Sequence, residues 1–100
     1  MISGILILAL SSEFGNIARY YPKAAAEDEV GGQATIECVV QPDGSLKACK
    51  ILSETPQNYG FGKATVRMFE REFNVNEHPE RPEKNVAGDN VKFTFKWRLG

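Results

Sequence analysis

One turn constrains the fold of this chain more than any other feature: Pro42, Asp43 and Gly44 separate two segments that both read as β-strands. Proline suits the second position of a type I turn, aspartate suits the third, and glycine accepts the left-handed conformation that follows. Residues 33–40 alternate polar and apolar side chains, as a half-buried strand does. Because residues 45–53 also read as a strand, the two segments are predicted to form a β-hairpin.

The apolar residues of the hairpin also predict its register. A type I turn that ends in a glycine bulge places Val40 near Leu46. One further bulge, around residues 47–48, is then needed to place Ile36 opposite Ile51. Matched apolar pairs on a buried face favour this bulged register over a regular one.

Two cysteines, Cys38 and Cys49, become cross-strand neighbours in the bulged register. Residues paired across antiparallel strands have Cα atoms roughly 5.5 Å apart, a span that a disulfide can bridge. In an oxidising compartment we expect the bond; the alternative is two small buried residues without a bond. With His78 as the sole histidine, the soft ligands number too few for a zinc site, and no metal or cofactor is expected.

A helix is predicted on each side of the hairpin. Pro22 fits the first turn of a short helix, which should end at Gly31 and Gly32. A second helix should begin at Phe61, because apolar residues recur there at helical spacing. Its predicted core stripe consists of Phe61, Ala64, Thr65, Met68, Phe69 and Phe73. A row on another face, predicted to be solvated, consists of Lys63, Arg67 and Arg71.

The strongest strand signal lies at the end of the chain, over residues 91–99. Apolar and polar residues alternate there, so one face should join the core while the other stays wet and basic. The segment before it, residues 74–90, is polar and contains Pro79 and Pro82, and it is predicted to be a long exposed loop.

The predicted order α-β-β-α-β describes a small two-layer α+β domain, in which a three-stranded antiparallel sheet packs against helices. The 100 residues correspond to one domain. We assign residues 19–100 to it and residues 1–18 to an apolar leader or short N-terminal element. No basic residue precedes the apolar run at 2–10. An export signal, a non-native leader and a short helix or strand packed on the domain all remain open, and we favour the last.

Composition and motifs exclude several functions. The net charge of −1 argues against a general nucleic-acid binder. The sequence contains no nucleophile elbow, phosphate-binding loop or zinc-protease motif, so an enzyme is not expected. No apolar run approaches the roughly 18 residues of a membrane span.

A series of short features, in a particular order, suggests a family. They are Tyr21-Pro22-x-x-Ala25, Gly31-Gly32, a strand at 34–40, Asp43-Gly44-x-Leu46, Ile51, Ser53-x-x-Pro56, a helix from Phe61 and a strand at 92–99. Over about residues 20–99 the chain resembles the C-terminal domain of TonB energy-transducer proteins. One cysteine in each hairpin strand, together with Gly60-Phe61-Gly62, is similar to a subset found in alphaproteobacterial relatives.

The resemblance implies a periplasmic adaptor that binds the TonB box, a short extended segment of an outer-membrane transporter. The box would add a strand to the edge of the final strand, provided that this edge is exposed. The implied partner-binding residues are Val91, Lys92, Phe93, Thr94, Phe95, Lys96, Trp97 and Arg98. Basic side chains on the wet face would guard a free edge against self-pairing, or simply keep the sheet soluble.

Full-length transducers reach a proton-driven inner-membrane complex through an N-terminal anchor and a proline-rich spacer. Neither is found in these 100 residues. The chain is therefore expected to be either an excised transducer domain or a standalone periplasmic structural or regulatory module that dimerises through its edge strand.

Overall fold

The computed structural model describes residues 5–8, 17–77 and 87–98. The strands are β1 (Ile5–Leu8), β2 (Gly32–Val40), β3 (Leu46–Thr55) and β4 (Asn90–Trp97), and the helices are α1 (Lys23–Glu27) and α2 (Phe61–Glu72). Single 3₁₀ turns cover Ile17–Tyr20 and Val75–Glu77. The predicted order α-β-β-α-β is confirmed, with three antiparallel strands in one sheet.

The sheet contains one strand beyond those three, in the spatial order β1-β4-β2-β3. β1 pairs with β4 in parallel, from Ile5 opposite Lys92 to Leu8 opposite Phe95. Part of the apolar N-terminal run thus forms a strand on the sheet, which is one of the two forms we favoured. The sheet is mixed rather than purely antiparallel because of this addition.

β2 lies at the centre of the domain and pairs antiparallel with both β3 and β4. Its predicted alternation is confirmed, since Ala34, Ile36, Cys38 and Val40 are each at most 2% exposed. The same face of β4 is also buried, through Val91, Phe93, Phe95 and Trp97. All six residues of the predicted α2 stripe are buried, so the core lies between α2 and this face of the sheet.

The turn at the tip of the hairpin forms as predicted. The Gly44 N–H donates to the Gln41 carbonyl oxygen at 2.8 Å, and Gly44 has a φ of 90°. Asp43 Oδ1 accepts hydrogen bonds from the N–H of Ser45 at 2.9 Å and from Ser45 Oγ at 2.6 Å. These two bonds hold the pKa of the Asp43 carboxyl below its ordinary value.

The prediction of an exposed loop from residue 74 is wrong for its first residues. The Val75 N–H donates to the Gly44 carbonyl oxygen at 2.9 Å, and Val75 is 7% exposed. The Asn74 Nδ2 group donates to the Asp43 carbonyl oxygen at 3.0 Å. The segment docks because the turn offers carbonyl oxygens and the core offers a site for Val75. Residues 78–86, with His78, lie outside the described part of the chain.

β3 bulges twice along its pairing with β2. The first bulge falls at Ala48, where φ is 53°, and it confirms the predicted bulge and the pairing of Ile36 with Ile51. The second bulge was not predicted: the register shifts between Thr35 and Ile36, so that Leu52 has no residue opposite. Cys38 and Cys49 form the expected disulfide, with an Sγ–Sγ distance of 2.01 Å.

Both members of each apolar pair across β2 and β3 were expected to be buried, but some residues of β3 are exposed. Ile36 is fully buried, but its partner Ile51 is 40% exposed and the neighbouring Leu52 is 44% exposed. β3 ends the sheet on this side, and α2 covers it only in part. The pairing was therefore correct, and the assumption that both members are buried was wrong.

The prediction that Gly31 and Gly32 end α1 is wrong. The helix ends at Glu27, and Glu29 takes the left-handed conformation with a φ of 58°. Gly32 instead allows close packing, because a Cβ there would lie 2.6 Å from the Phe61 ring and 2.6 Å from the Thr55 carbonyl oxygen.

Candidate functional site

The predicted partner-binding segment covers β4 from its second residue, Val91, to its end and includes the residue after it, Arg98. We expected this strand to offer its edge if the edge was exposed. That condition is not met over part of its length, because β1 lies along the strand from Lys92 to Phe95. The candidate site is thus an edge that already holds an added parallel strand.

Aromatic contacts anchor the inward face of β4. The Phe93 ring lies 4.7 Å from the Phe69 ring and 4.9 Å from the Phe73 ring, measured between centroids. Phe95 and Trp97 meet edge to face at 4.9 Å. Such contacts add to the burial of large rings, so the position of the β4 backbone is set before any partner arrives.

The C-terminal end of β4 is held by hydrogen bonds inside the core. Trp97 Nε1 donates to Thr65 Oγ1 at 2.9 Å, and Thr65 Oγ1 donates to the Phe61 carbonyl oxygen at 2.7 Å. The Tyr21 ring meets the Trp97 ring edge to face at 5.5 Å, and its hydroxyl donates to the Val30 carbonyl oxygen at 2.6 Å. Burial raises the pKa of the Tyr21 hydroxyl.

The outward face of β4 is polar and basic. Lys92 lies opposite Glu37 on β2, and Thr94 lies opposite Thr35, where the two Oγ1 atoms are 2.8 Å apart. Lys96 and Arg98 are exposed. β4 therefore has an apolar face that packs in the core and a basic face on the other side.

The 3₁₀ turn at Ile17–Tyr20 contacts the C-terminal end of α2. The Tyr20 hydroxyl donates to Glu72 Oε2 at 2.6 Å. This hydrogen bond to the carboxylate is the main cause that raises the pKa of Tyr20, and burial adds to it. The Arg19 guanidinium lies 5.8 Å from the centroid of the Tyr20 ring. The Tyr20 hydroxyl thereby joins the 3₁₀ turn at Ile17–Tyr20 to the end of α2.

An open groove of about 490 Å³ lies between α2 and β3. Its lining residues are Cys49, Ile51, Lys63, Val66, Arg67, Glu70 and Arg71. The cationic row predicted to be solvated is exposed. Glu70 Oε2 accepts a hydrogen bond from the Cys49 N–H at 3.3 Å, so this carboxylate has a structural partner. In the described residues, no three acidic, histidine or cysteine side chains come together as metal ligands.

The sequence analysis did not predict that β1 pairs with the strand proposed as the site. The available signal was the aliphatic run at 5–8, which is typical of a strand. The run itself does not indicate which strand it pairs with, because β1 and β4 lie at opposite ends of the chain.

Within the described ranges, no helix is long and apolar enough to cross a membrane. A comparison with curated proteins yields no match. The family described as Gram-negative bacterial TonB protein C-terminal matches residues 17–99. That range includes every described helix and strand except β1. Members of this family are periplasmic, non-enzymatic transducer domains of Gram-negative bacteria. With the match covering most of its length, the chain belongs to the TonB C-terminal domain family.

Proposed function

We propose that this domain binds the TonB box of an outer-membrane transporter by adding it as a strand to the outer edge of β4. One observation carries the proposal: this edge pairs with an extended segment, β1, over Lys92 to Phe95. An edge that holds four residues of the chain's own backbone has the geometry to hold a similar segment of a partner.

The chemistry of such a site suits a partner of variable sequence. Main-chain hydrogen bonds supply affinity without reading side chains, so one edge can serve several transporters. The aromatic contacts of Phe93 and Phe95 hold the edge rigid, which lowers the entropy lost on binding. Exposed Lys96 and Arg98 oppose pairing between two copies of the same edge.

The setting of the family supports a role in proton-driven uptake. In that role the domain transmits force from an energised inner-membrane complex, through an anchor, to a transporter in the outer membrane. The Cys38–Cys49 disulfide suits the oxidising periplasm, where such bonds persist. It also joins β3 to the central strand β2, so the sheet is cross-linked next to the strand that would bear the load.

Titration of synthetic TonB-box peptides into the ¹⁵N-labelled chain tests the proposal. The largest amide shifts are expected from Val91 to Arg98, with smaller ones on α2. Shifts confined to the α2–β3 groove would contradict it. The absence of shifts on β4 would also contradict it, provided that they are absent both in the intact chain and in a variant whose β1 no longer pairs with β4. Sedimentation of the same samples reports whether copies of the chain associate with one another instead.

A further inference from the structure

We propose that Ile5–Leu8 is an internal competitor for the β4 edge, so that the domain exists in a closed form and an open form. This inference rests on the proposed function, because it concerns regulation of the same site. In the closed form β1 covers the edge, and in the open form the edge is available to a partner.

The register makes the two forms mutually exclusive. β1 pairs with Lys92, Phe93, Thr94 and Phe95. Since β2 bonds to the other side of the same strand, β4 has one remaining row of N–H and C=O groups. A partner strand cannot use that row over residues 92–95 while β1 occupies it.

The length of β1 makes the closed form reversible. It contributes four residues, at the short end of the range for strands, and it pairs on one side only, as the terminal strand of the sheet. Its advantage is that it belongs to the same chain, since a tethered segment acts at an effective concentration on the order of millimolar. A weak strand at high local concentration can hold the edge and still yield to a partner.

The consequence for binding is quantitative. A ligand that binds only the open form has an apparent Kd equal to its intrinsic Kd divided by the open fraction. If β1 covers the edge about nine-tenths of the time, its removal tightens the apparent Kd about tenfold. Covering the edge also shields it from pairing with a second copy of the chain.

A pair of adjacent prolines tests the inference. In a strand, successive N–H groups point to opposite sides, so Leu6→Pro with Ile7→Pro removes one donor that faces β4 whatever the phase of the strand. The matched control, Leu6→Val with Ile7→Val, changes the same positions but retains both N–H groups and the strand propensity. In each variant, the Trp97 indole N–H resonance reports whether its bond to Thr65, inside the core, is intact.

Two measurements are made on the intact chain and both variants. Hydrogen exchange of the amides at residues 92–95 reports the pairing itself. The proline variant should lose protection at every second amide, and the valine variant should not. Titration with a TonB-box peptide reports competition, and the proline variant should bind about tenfold more tightly than the other two chains.

Equal protection in all three chains would overturn the inference, because β1 would not be paired. Equal peptide affinity in all three chains, with protection lost in the proline variant, would also overturn the inference, because β1 would not compete with the peptide. In that case the proposed function would stand, since every chain would bind the peptide. If no chain binds the peptide at β4, the proposed function fails and the inference fails with it.

Discussion

Trp97 Nε1 donates a hydrogen bond to Thr65 Oγ1 at 2.9 Å, and both residues are buried. The bond joins the last residue of β4 to the middle of α2, which are 32 positions apart in the chain. It supplies a partner to an indole N–H that the core would otherwise leave without one, and it therefore fixes the end of the candidate edge.

Loss of the Thr65 hydroxyl should destabilise the domain. Thr65→Val removes the acceptor and leaves the Trp97 N–H buried without a partner, which should cost about 1–3 kcal/mol of unfolding free energy. Urea denaturation measures the loss. The matched control is Thr94→Val, which removes a hydroxyl from the half-buried pair with Thr35. Water can replace that bond, so the control should cost less than about 1 kcal/mol. Equal losses of unfolding free energy in the two variants would show that the buried bond contributes no more to stability than the half-buried one.

The disulfide should contribute substantially to stability. Cys38 and Cys49 are separated by 11 positions, and closing a loop of that length restricts the unfolded chain by about 3 kcal/mol in the entropic account. Reduction with dithiothreitol should lower the urea midpoint of the intact chain. The double variant Cys38→Ala with Cys49→Ala should have the lower midpoint already and should not respond to the reductant. Alkylation without reductant should find no free thiol, and two reactive thiols would contradict the bond.

Gly44 should resist substitution more than a glycine of similar backbone conformation. Gly44→Ala imposes a side chain on a φ of 90° and brings its Cβ against Asn74 Oδ1 and within 2.6 Å of Asn76 Nδ2. Gly88 has a φ of 96°, but a Cβ there would meet nothing within 4 Å. Gly88→Ala should therefore cost only the conformational strain, about 1–2 kcal/mol, and Gly44→Ala should cost more. Equal thermal midpoints for the two variants would show that the docked asparagines do not constrain the turn.

Acid should weaken the hairpin turn through Asp43. The pKa of this carboxyl is lowered from its ordinary value of 3.8, mainly by the hydrogen bonds from Ser45. A folded pKa below the unfolded one stabilises the protein above the unfolded value, and this stability is lost as the pH falls through the folded value. An NMR titration of the Asp43 carboxyl should give a pKa below 3.8. In Ser45→Ala, which retains only the backbone donor, the pKa should rise towards the ordinary value. No difference between the chains would contradict the assigned cause.

Much of the fold could be predicted because it depends on local patterns. Alternation over β2 and β4 has the period of a strand, and the α2 stripe has the period of a helix, so each pattern states which face is buried. Pro42, Asp43 and Gly44 carry the dihedral preferences of their turn in their own side chains. The bulge at Ala48 followed from matching Ile36 with Ile51, since a slip of one residue would reverse the faces of the strand.

Other features were decided by groups that meet only in three dimensions. The exposure of Ile51 depends on how far α2 reaches over the edge strand, and the second bulge, at Leu52, has no residue pattern that marks it. Val75 docks because the hairpin tip presents a carbonyl oxygen at Gly44. Neither relation has a periodic signature in the sequence.

For the candidate site too, some features follow from the local sequence and others from the tertiary structure. The alternation of β4 is a local property, so the sequence by itself determined which face of this strand is buried and which is wet and basic, while the family resemblance pointed to the strand as the proposed site. Only the tertiary structure decided that Ile5–Leu8 occupies its outer edge, because backbone N–H and C=O groups pair with any strand that reaches them and no residue type specifies that partner.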